Sequence, residues 1–284
     1  MSDPIVVGTD ASAGADRAVE WAVGEAALRR RPLHIVHSID KGLYELPLFA
    51  PSRVADTVTE AGRRILEAAE HLARERRPGV EVTTELVADS TATALRDQSR
   101  RAFEVVVGHR GLGGFAGLML GSTGLRLAMH AAGPVVIVRG DAGTGHGEIV
   151  VGIDLIADPA PALGYAFEAA AVRGARVRVL HAWRLGDTLA DLGRSIDDRE
   201  VEEKLRWQVV EAHAPWRKAH PGIEVREEVV HEHPVTALSD ASRQADLVVV
   251  GAHDHRRFEV SRLGSVSHGV VHHAQCPVAV ARTR

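Results

Sequence analysis

Apolar residues in this chain fall into short unbroken runs separated by longer stretches of helical spacing. Ile5-Val6-Val7, Leu33-His34-Ile35-Val36, Val105-Val106-Val107 and Val135-Val136-Ile137-Val138 are of strand length and rich in β-branched residues. Such runs predict strands buried on both faces. Residues 80–87 alternate instead, which predicts a strand with one face more exposed. Between these runs, residues 15–30 place Ala18, Trp21, Ala22 and Ala26 inward as a helix, and residues 54–77 and 91–101 read as two more. Residues 123–132 form a fourth helix with Leu125, Ala128 and Met129 on one face, ended by Gly133 and Pro134. The order βαβαβαβαβ predicts an α/β fold with a parallel, doubly wound sheet and right-handed crossovers.

The whole pattern occurs twice. Ile5-Val6-Val7-Gly8-Thr9-Asp10 recurs as Ile149-Val150-Val151-Gly152-Ile153-Asp154, and Leu33-His34-Ile35-Val36-His37 as Val177-Arg178-Val179-Leu180-His181. Glu104-Val105-Val106-Val107-Gly108 recurs as Asp246-Leu247-Val248-Val249-Val250-Gly251, and Pro134-Val135-Val136-Ile137-Val138 as Pro277-Val278-Ala279-Val280. Residues 140–147 hold four glycines and no apolar periodicity, so they read as a linker between domains 1–140 and 148–284.

A chemical signal sits between the fourth strand and the fourth helix of the first half. From Gly108 the chain reads Gly-x2-Gly to Gly111, and nine residues then lead to Gly121-Ser122. A strand, a glycine loop and a helix N-terminus together suit an anion, because N–H groups approach it with no Cβ in the way and the helix end is partially positive. Ser122 is expected to be the N-cap. In a doubly wound sheet ligands bind at the carboxyl ends of the strands where the strand order reverses, which brings Gly8-Thr9-Asp10 beside Gly108-His109-Arg110-Gly111.

The Gly-x2-Gly-x9-Gly-Ser spacing resembles the ATP-binding signature of the universal stress protein family, and the resemblance covers the chain twice. It implies two tandem five-stranded sheets of strand order 3-2-1-4-5, of the adenine-nucleotide α-hydrolase-like type, with ATP as ligand, with or without Mg. It implies that Asp10 accepts hydrogen bonds from ribose or adenine, unless it serves only as a helix cap. Ser38 marks the position just past the second strand where backbone groups hold adenine, and Gly108 and Gly111 line ribose and phosphates. Gly121, Ser122 and Thr123 donate to phosphate, with Arg110 either reaching phosphate or standing solvated. The second half keeps Asp154, Gly251, Gly264, Ser265 and Val266 at matching places, but Asp254 replaces the glycine matching Gly111, Arg256-Arg257 replace Gly113-Gly114, and Leu155-Ile156 replace Ala11-Ser12. A carboxylate there opposes polyphosphate, so the second site is expected to be the weaker. The resemblance also implies an intrachain pseudo-dimer of the two halves through their last strands, and it leaves a homodimer open.

Other readings narrow this one without replacing it. Residues 111–116 formally fit the dinucleotide fingerprint G-x-G-x-x-A, but they follow the fourth strand rather than the first, and the next strand ends in Arg139 rather than an acid. No G-x4-G-K-S/T occurs. No positioned base with a metal-holding acid stands beside the loop, so binding, with at most slow hydrolysis of ATP, is expected rather than catalysis. An adenylyl-transferring enzyme of the wider superfamily would want S-G-G-x-D-S after the first strand, where the chain has Gly8-Thr9-Asp10-Ala11-Ser12. An interaction module that has lost nucleotide is the remaining alternative.

The 284 residues suit two ordinary domains, and a net charge of −4 argues against nucleic-acid or membrane-surface partners. One cysteine, Cys276, excludes an intrachain disulfide and reads as a packed thiol in a reducing cytoplasm. The N-terminus shows no signal-peptide pattern, and no apolar run is long enough to span a bilayer. Sixteen histidines invite a metal reading at His231-Glu232-His233, His253-Asp254-His255 or His268 with His272, and His231 and His233 would share a strand face. No complete ligand set has a metal-site spacing, so none is assigned. Residues 43–51 form an apolar loop expected either to cover the nucleotide or to meet a partner.

Overall fold

The computed structural model describes residues 3–39, 51–112, 120–140, 145–184, 198–252 and 263–283, with the side chains of 51–55 excepted. The chain divides into two compact units whose main boundary lies between Ala142 and Gly143. The first contains β1 (Ile5–Gly8), α1 (Ala13–Arg29), β2 (Leu33–Ser38), α2 (Pro51–Arg76), β3 (Val82–Val87), α3 (Thr91–Gln98), β4 (Glu104–Gly108), α4 (Ser122–His130) and β5 (Val135–Val138). The second contains β6 (Glu148–Gly152), α5 (Ala160–Arg173), β7 (Arg176–Trp183), α6 (Asp198–Ala219), β8 (Val225–His231), α7 (Pro234–Ala241), a short 3-10 turn, β9 (Leu247–Gly251), α8 (Ser265–His273) and β10 (Val278–Ala281).

Each unit is a doubly wound parallel sheet. The first has the order β3-β2-β1-β4-β5 and the second β8-β7-β6-β9-β10, which is the expected 3-2-1-4-5 twice over. The unbroken valine and isoleucine runs lie in the middle. Ile5, Val7, Val105, Val106, Val135 and Val136 are fully buried, as are Ile149, Val150, Val151, Val248, Val249 and Val278. β3 alone in the first unit keeps a largely exposed face, as its alternation predicts. Helix α1 buries Ala18, Val19, Ala22, Val23 and Ala26, while Trp21 is half-buried rather than inward. The helices run slightly differently from the sequence reading. α3 stops at Gln98, where the Ser99 hydroxyl donates to the Arg96 carbonyl, and α4 stops at His130.

Both units place a glycine at the end of the first strand for the same reason. A Cβ on Gly8 would lie 2.6 Å from Leu95 of α3, and one on Gly152 would lie 2.7 Å from Leu238 of α7. The leucines cover the strand ends and are nearly or wholly buried.

The second unit carries a buried charge cluster at the amino ends of its strands. Glu148 is fully buried, accepts from Arg176 Nε at 2.7 Å and from Arg178, and Arg178 also reaches Glu228 at 3.3 Å. Desolvation pushes the Glu148 carboxyl up, but the hydrogen bonds from Arg178 and Arg176 outweigh it and hold the pKa below the ordinary value. A carboxylate depressed in the folded state adds stability above its unfolded pKa and loses it as pH falls through the folded one. Glu148→Gln should therefore destabilise the second unit by up to about 3 kcal/mol near neutral pH. The gap to wild type should close in acid, as read from urea melts across pH.

Candidate functional site

The carboxyl ends of β1 and β4 meet in a clasp built around Asp10. Its Oδ1 accepts the Ser12 N–H at 3.0 Å, and its Oδ2 accepts the Leu112 N–H at 2.8 Å. One carboxylate thus shapes the turn after β1 and holds the loop after β4. Asp10 is not the helix cap. Ser12 caps α1, accepting the Ala15 N–H at 3.1 Å, and its hydroxyl also donates to the Arg110 carbonyl at 3.4 Å. Between them Ala11 sits at φ 61°, a left-handed conformation that a non-glycine residue adopts at a cost of roughly 1–2 kcal/mol. Strain of this kind concentrates at functional sites.

The two loops approach so closely that three glycines are required by the protein itself. A Cβ on Gly108 would lie 2.5 Å from the Gly14 carbonyl oxygen. One on Gly14 would overlap the Arg110 carbonyl, and one on Gly111 would overlap the Asp10 carboxylate. The Gly-x2-Gly half of the sequence signature therefore has an internal packing reason.

Gly121 differs. Among the described residues a Cβ there would meet nothing nearer than the His109 carbonyl oxygen at 3.6 Å and Arg110 Cα at 3.8 Å, and its φ of −72° suits any residue. Gly121, not Ser122, is the N-cap of α4. Its N–H donates to the His109 carbonyl at 2.8 Å, and the chain becomes helical at Ser122, one residue earlier than a Ser122 cap would allow. A glycine cap offers no side-chain acceptor, so the helix end, with Ser122 and Thr123 in its first turn, faces outward uncapped by a side chain.

The surroundings are positive. Burial, then the charge of Arg139, push the His109 imidazole below its ordinary pKa, and Arg17 and Arg110 add to this while a hydrogen bond to the Val138 backbone works the other way. Three guanidinium groups thus bear on one loop residue at the strand ends. Of these, only Arg110 was legible in the signature.

Ser38 is the last residue of β2, rather than just past it, and its hydroxyl lies 2.6 Å from the Thr91 hydroxyl at the start of α3. Its neighbour carries a feature that the sequence reading passed over. His37 Nδ1 lies 2.7 Å from the Thr9 carbonyl oxygen, and His181 Nδ1 lies 3.0 Å from the Ile153 carbonyl oxygen. In each unit a histidine ending the second strand pins the residue after the first. The repeat showed both histidines at one position, which was the available signal.

The second unit keeps several of these parts. Asp154 Oδ1 accepts the Ile156 N–H at 2.9 Å, repeating the Asp10 turn. Asp158 stands where Gly14 stands in the first unit, and α5 begins only at Ala160, about three residues late against α1. Among the described residues nothing lies within 4 Å of a Cβ built on Gly251. Gly264 caps α8 as Gly121 caps α4, with Ser265 and Val266 in its first turn, and Ser267 donates to the Gly251 carbonyl at 2.7 Å.

The histidine clusters separate. His231 stacks on Trp183 with centroids 4.3 Å apart and lies 3.5 Å from Asp198, whereas His233 has left the strand and caps α7 by accepting the Val235 N–H. Their shared strand face is therefore not formed, because β8 ends at His231. His268 and His272 are ring neighbours at 4.6 Å. Among the described residues no group of three or more His, Cys, Asp or Glu is placed to hold a metal. Cys276 is buried with its thiol 3.4 Å from the Pro277 carbonyl oxygen. The loop 43–50, the His253-Asp254-His255 cluster, Arg256-Arg257 and Gly113-Gly114 lie outside the described residues. No described helix is long and apolar enough to cross a membrane.

The clasp predicts opposite tolerances at equivalent glycines. Gly108→Ala should destabilise the first unit by about 1–3 kcal/mol through overpacking. Gly251→Ala should stay within about 0.5 kcal/mol, as a substitution in open space does. Chemical denaturation of the two variants measures both.

Comparison with known proteins accords with this architecture. The sequence pattern of the universal stress protein family matches residues 1–139 and again 146–282. A universal stress protein of Mycolicibacterium smegmatis is 35% identical over 288 residues, covering 99% of this chain and 97% of its own length. Universal stress protein Rv1996 of Mycobacterium tuberculosis is 31% identical over 305 residues, covering 98% and 94%. The crystal structure of a universal stress protein from Archaeoglobus fulgidus shares the fold with a TM-score of 0.73 at 20% identity, over 99% of both chains. Matched twice by the family pattern and aligned nearly end to end with its members, this chain belongs to the universal stress protein family, as a tandem of two of its domains.

Proposed function

We propose that this chain is an ATP-binding regulatory protein, with the nucleotide held in the first unit at the carboxyl ends of β1 and β4. Gly121 carries the reading. Gly108, Gly111 and Gly14 are glycines because the protein crowds them, but the protein leaves room for a side chain at Gly121. A phosphate resting on the N-terminus of α4 gives that position a reason to be bare. Arg17, Arg110 and Arg139 supply positive charge at the same end of the sheet, and charge-assisted hydrogen bonds to phosphate are among the strongest available to a side chain. Asp10 and the Ser38 region then bound the ribose and adenine side. Mg would enter with the triphosphate. The reading assigns binding, with hydrolysis at most slow.

Gly121→Val tests it directly, since the backbone accepts the residue and only the ligand would object. ATP affinity by titration calorimetry should fall at least about tenfold, as a displaced phosphate contact implies, while the melting temperature stays near wild type. Unchanged affinity would sink the placement of the phosphates. Purified protein should also release ATP on denaturation, read by absorbance and chromatography of the supernatant.

The two sites should be unequal. The second unit has Asp158 in place of Gly14 and Asp254 in place of the glycine matching Gly111. A carboxylate about 4 Å from a polyphosphate is repelled by roughly 1–4 kcal/mol per charge pair. ATP should fill the first unit before the second, and Asp254→Gly should raise the second affinity roughly tenfold. Equal occupancy at low ATP, or no gain on substitution, counts against this.

A further inference from the structure

The second unit carries a groove. It lies between the β6–α5 turn and helix α6, has a volume of about 500 Å³, and is lined by Leu155, Asp158, Pro159, Trp207, Glu211 and Trp216 among others. Its chemistry is aromatic and acidic. Trp207 is 65% exposed, and Ile156, beside Leu155, is 98% exposed. Asp158 uses Oδ1 to accept the Ala160 N–H at 3.0 Å, and the Glu211 carboxylate stands exposed on α6. Among the described residues no lysine or arginine lines it. Of the basic residues on the helix, Lys204 pairs with Glu200 and Arg206 with Glu202, while Arg217 and Lys218 follow Trp216 outside the lining.

The fold does not demand these side chains. Aligned through the shared Pro-Gly turns after α2 and α6, Trp207 matches Arg64, Glu211 matches Ala68 and Trp216 matches Ala73. Asp158 matches Gly14. The surrounding packing has changed with them. In the first unit Glu20 of α1 pairs with Arg76 of α2 and Ala73 is fully buried. In the second unit the places of Glu20 and Arg76 belong to Gly164 and Ala219. Gly164 leaves room for the indole, since a Cβ there would lie 3.3 Å from Trp216 Nε1. Two indoles, two carboxylates and the glycine that admits one of the indoles thus occur together in one unit and at none of the matching positions in the other.

We infer that this groove binds a small organic cation, an amine or quaternary ammonium with an apolar body. Indole faces attract cations through the ring quadrupole, above all quaternary ammonium groups. Carboxylates with no basic neighbour in the lining supply the complementary charge. The half-buried Leu155 with the exposed Ile156 and Trp207 suits the apolar part, and the volume falls within the range of small-molecule sites. An anion is disfavoured by the same charges, so the groove is chemically distinct from the proposed phosphate site and stands independently of it.

The test uses the full chain without nucleotide, with choline as probe and 3,3-dimethyl-1-butanol as its neutral isostere. Ligand-observed NMR reads binding without relying on the tryptophans. Choline should bind saturably and at least about fivefold more tightly than the isostere. Glu211→Gln and Trp207→Leu, both at exposed positions, should each weaken choline about fivefold with melting curves unchanged, and Arg64→Ala at the matching place in the first unit should leave it as it was. Equal binding of the isostere, no saturable binding of choline, or indifference to both groove substitutions would overturn the inference.

Discussion

The ends of β1 and β4 come nearer to each other than side chains allow, and most of the first unit's local sequence follows from that constraint. Gly14 and Gly108 bring two backbones into contact, Gly111 clears the Asp10 carboxylate, and Asp10 then ties both loops with its two oxygens. Ser12 adds a third tie while capping α1. Asp10 and Ser12 each hydrogen-bond across the gap, so the clasp holds the loop that follows β4 without using a ligand. Preorganisation of this kind lowers the ordering cost that binding would otherwise carry.

The architecture was legible because its signals are periodic and repeated. Unbroken β-branched runs mark strands buried on both faces, and their recurrence with the same order and nearly the same spacing gives the same five-strand order twice. Trp21 was misjudged as inward because helical spacing locates a stripe but not its width, and the smaller Val19 and Val23 take the centre of that stripe. At the site, the signature showed which loop mattered but not why each glycine was there. Gly108, Gly111 and Gly121 look equivalent in sequence, and only the distances separate two that the protein crowds from one that it does not. Ser122 was taken for the cap because serine is a favoured N-cap residue. The carbonyl of His109, twelve residues upstream, fixed the Gly121 N–H and moved the helix start. A partner at that separation leaves no local trace.

The paired histidines show what survives when a repeat diverges. His37 and His181 make the same bond to the carbonyl after the first strand, at 2.7 and 3.0 Å. That bond holds the turn where a ligand edge would lie, whatever follows in the turn itself. Downstream of it the units part. The first closes its turn with Gly14 and strains Ala11, whereas the second lets α5 start late behind Asp158 and Pro159 and takes on no positive φ among its non-glycine residues there. The retained histidine fixes strand ends in both, so it belongs to the scaffold.

Divergence in the second unit is coordinated rather than scattered. A gain of charge at Asp158 removes the glycine on which the clasp depends, and the same carboxylate joins Glu211 in the groove beside α6. The loss of Glu20 and Arg76 at the matching places removes an inter-helix ion pair that, being largely exposed, was worth less than about 1 kcal/mol. In exchange Gly164 admits the Trp216 indole, whose burial is worth more than that pair. An exposed Trp207 earns no such return from folding, because most of its surface stays in water. Packing therefore accounts for Trp216 and not for Trp207, just as it accounts for Gly111 and not for Gly121. In each unit the residue that folding leaves unexplained is one on which a proposed binding site rests.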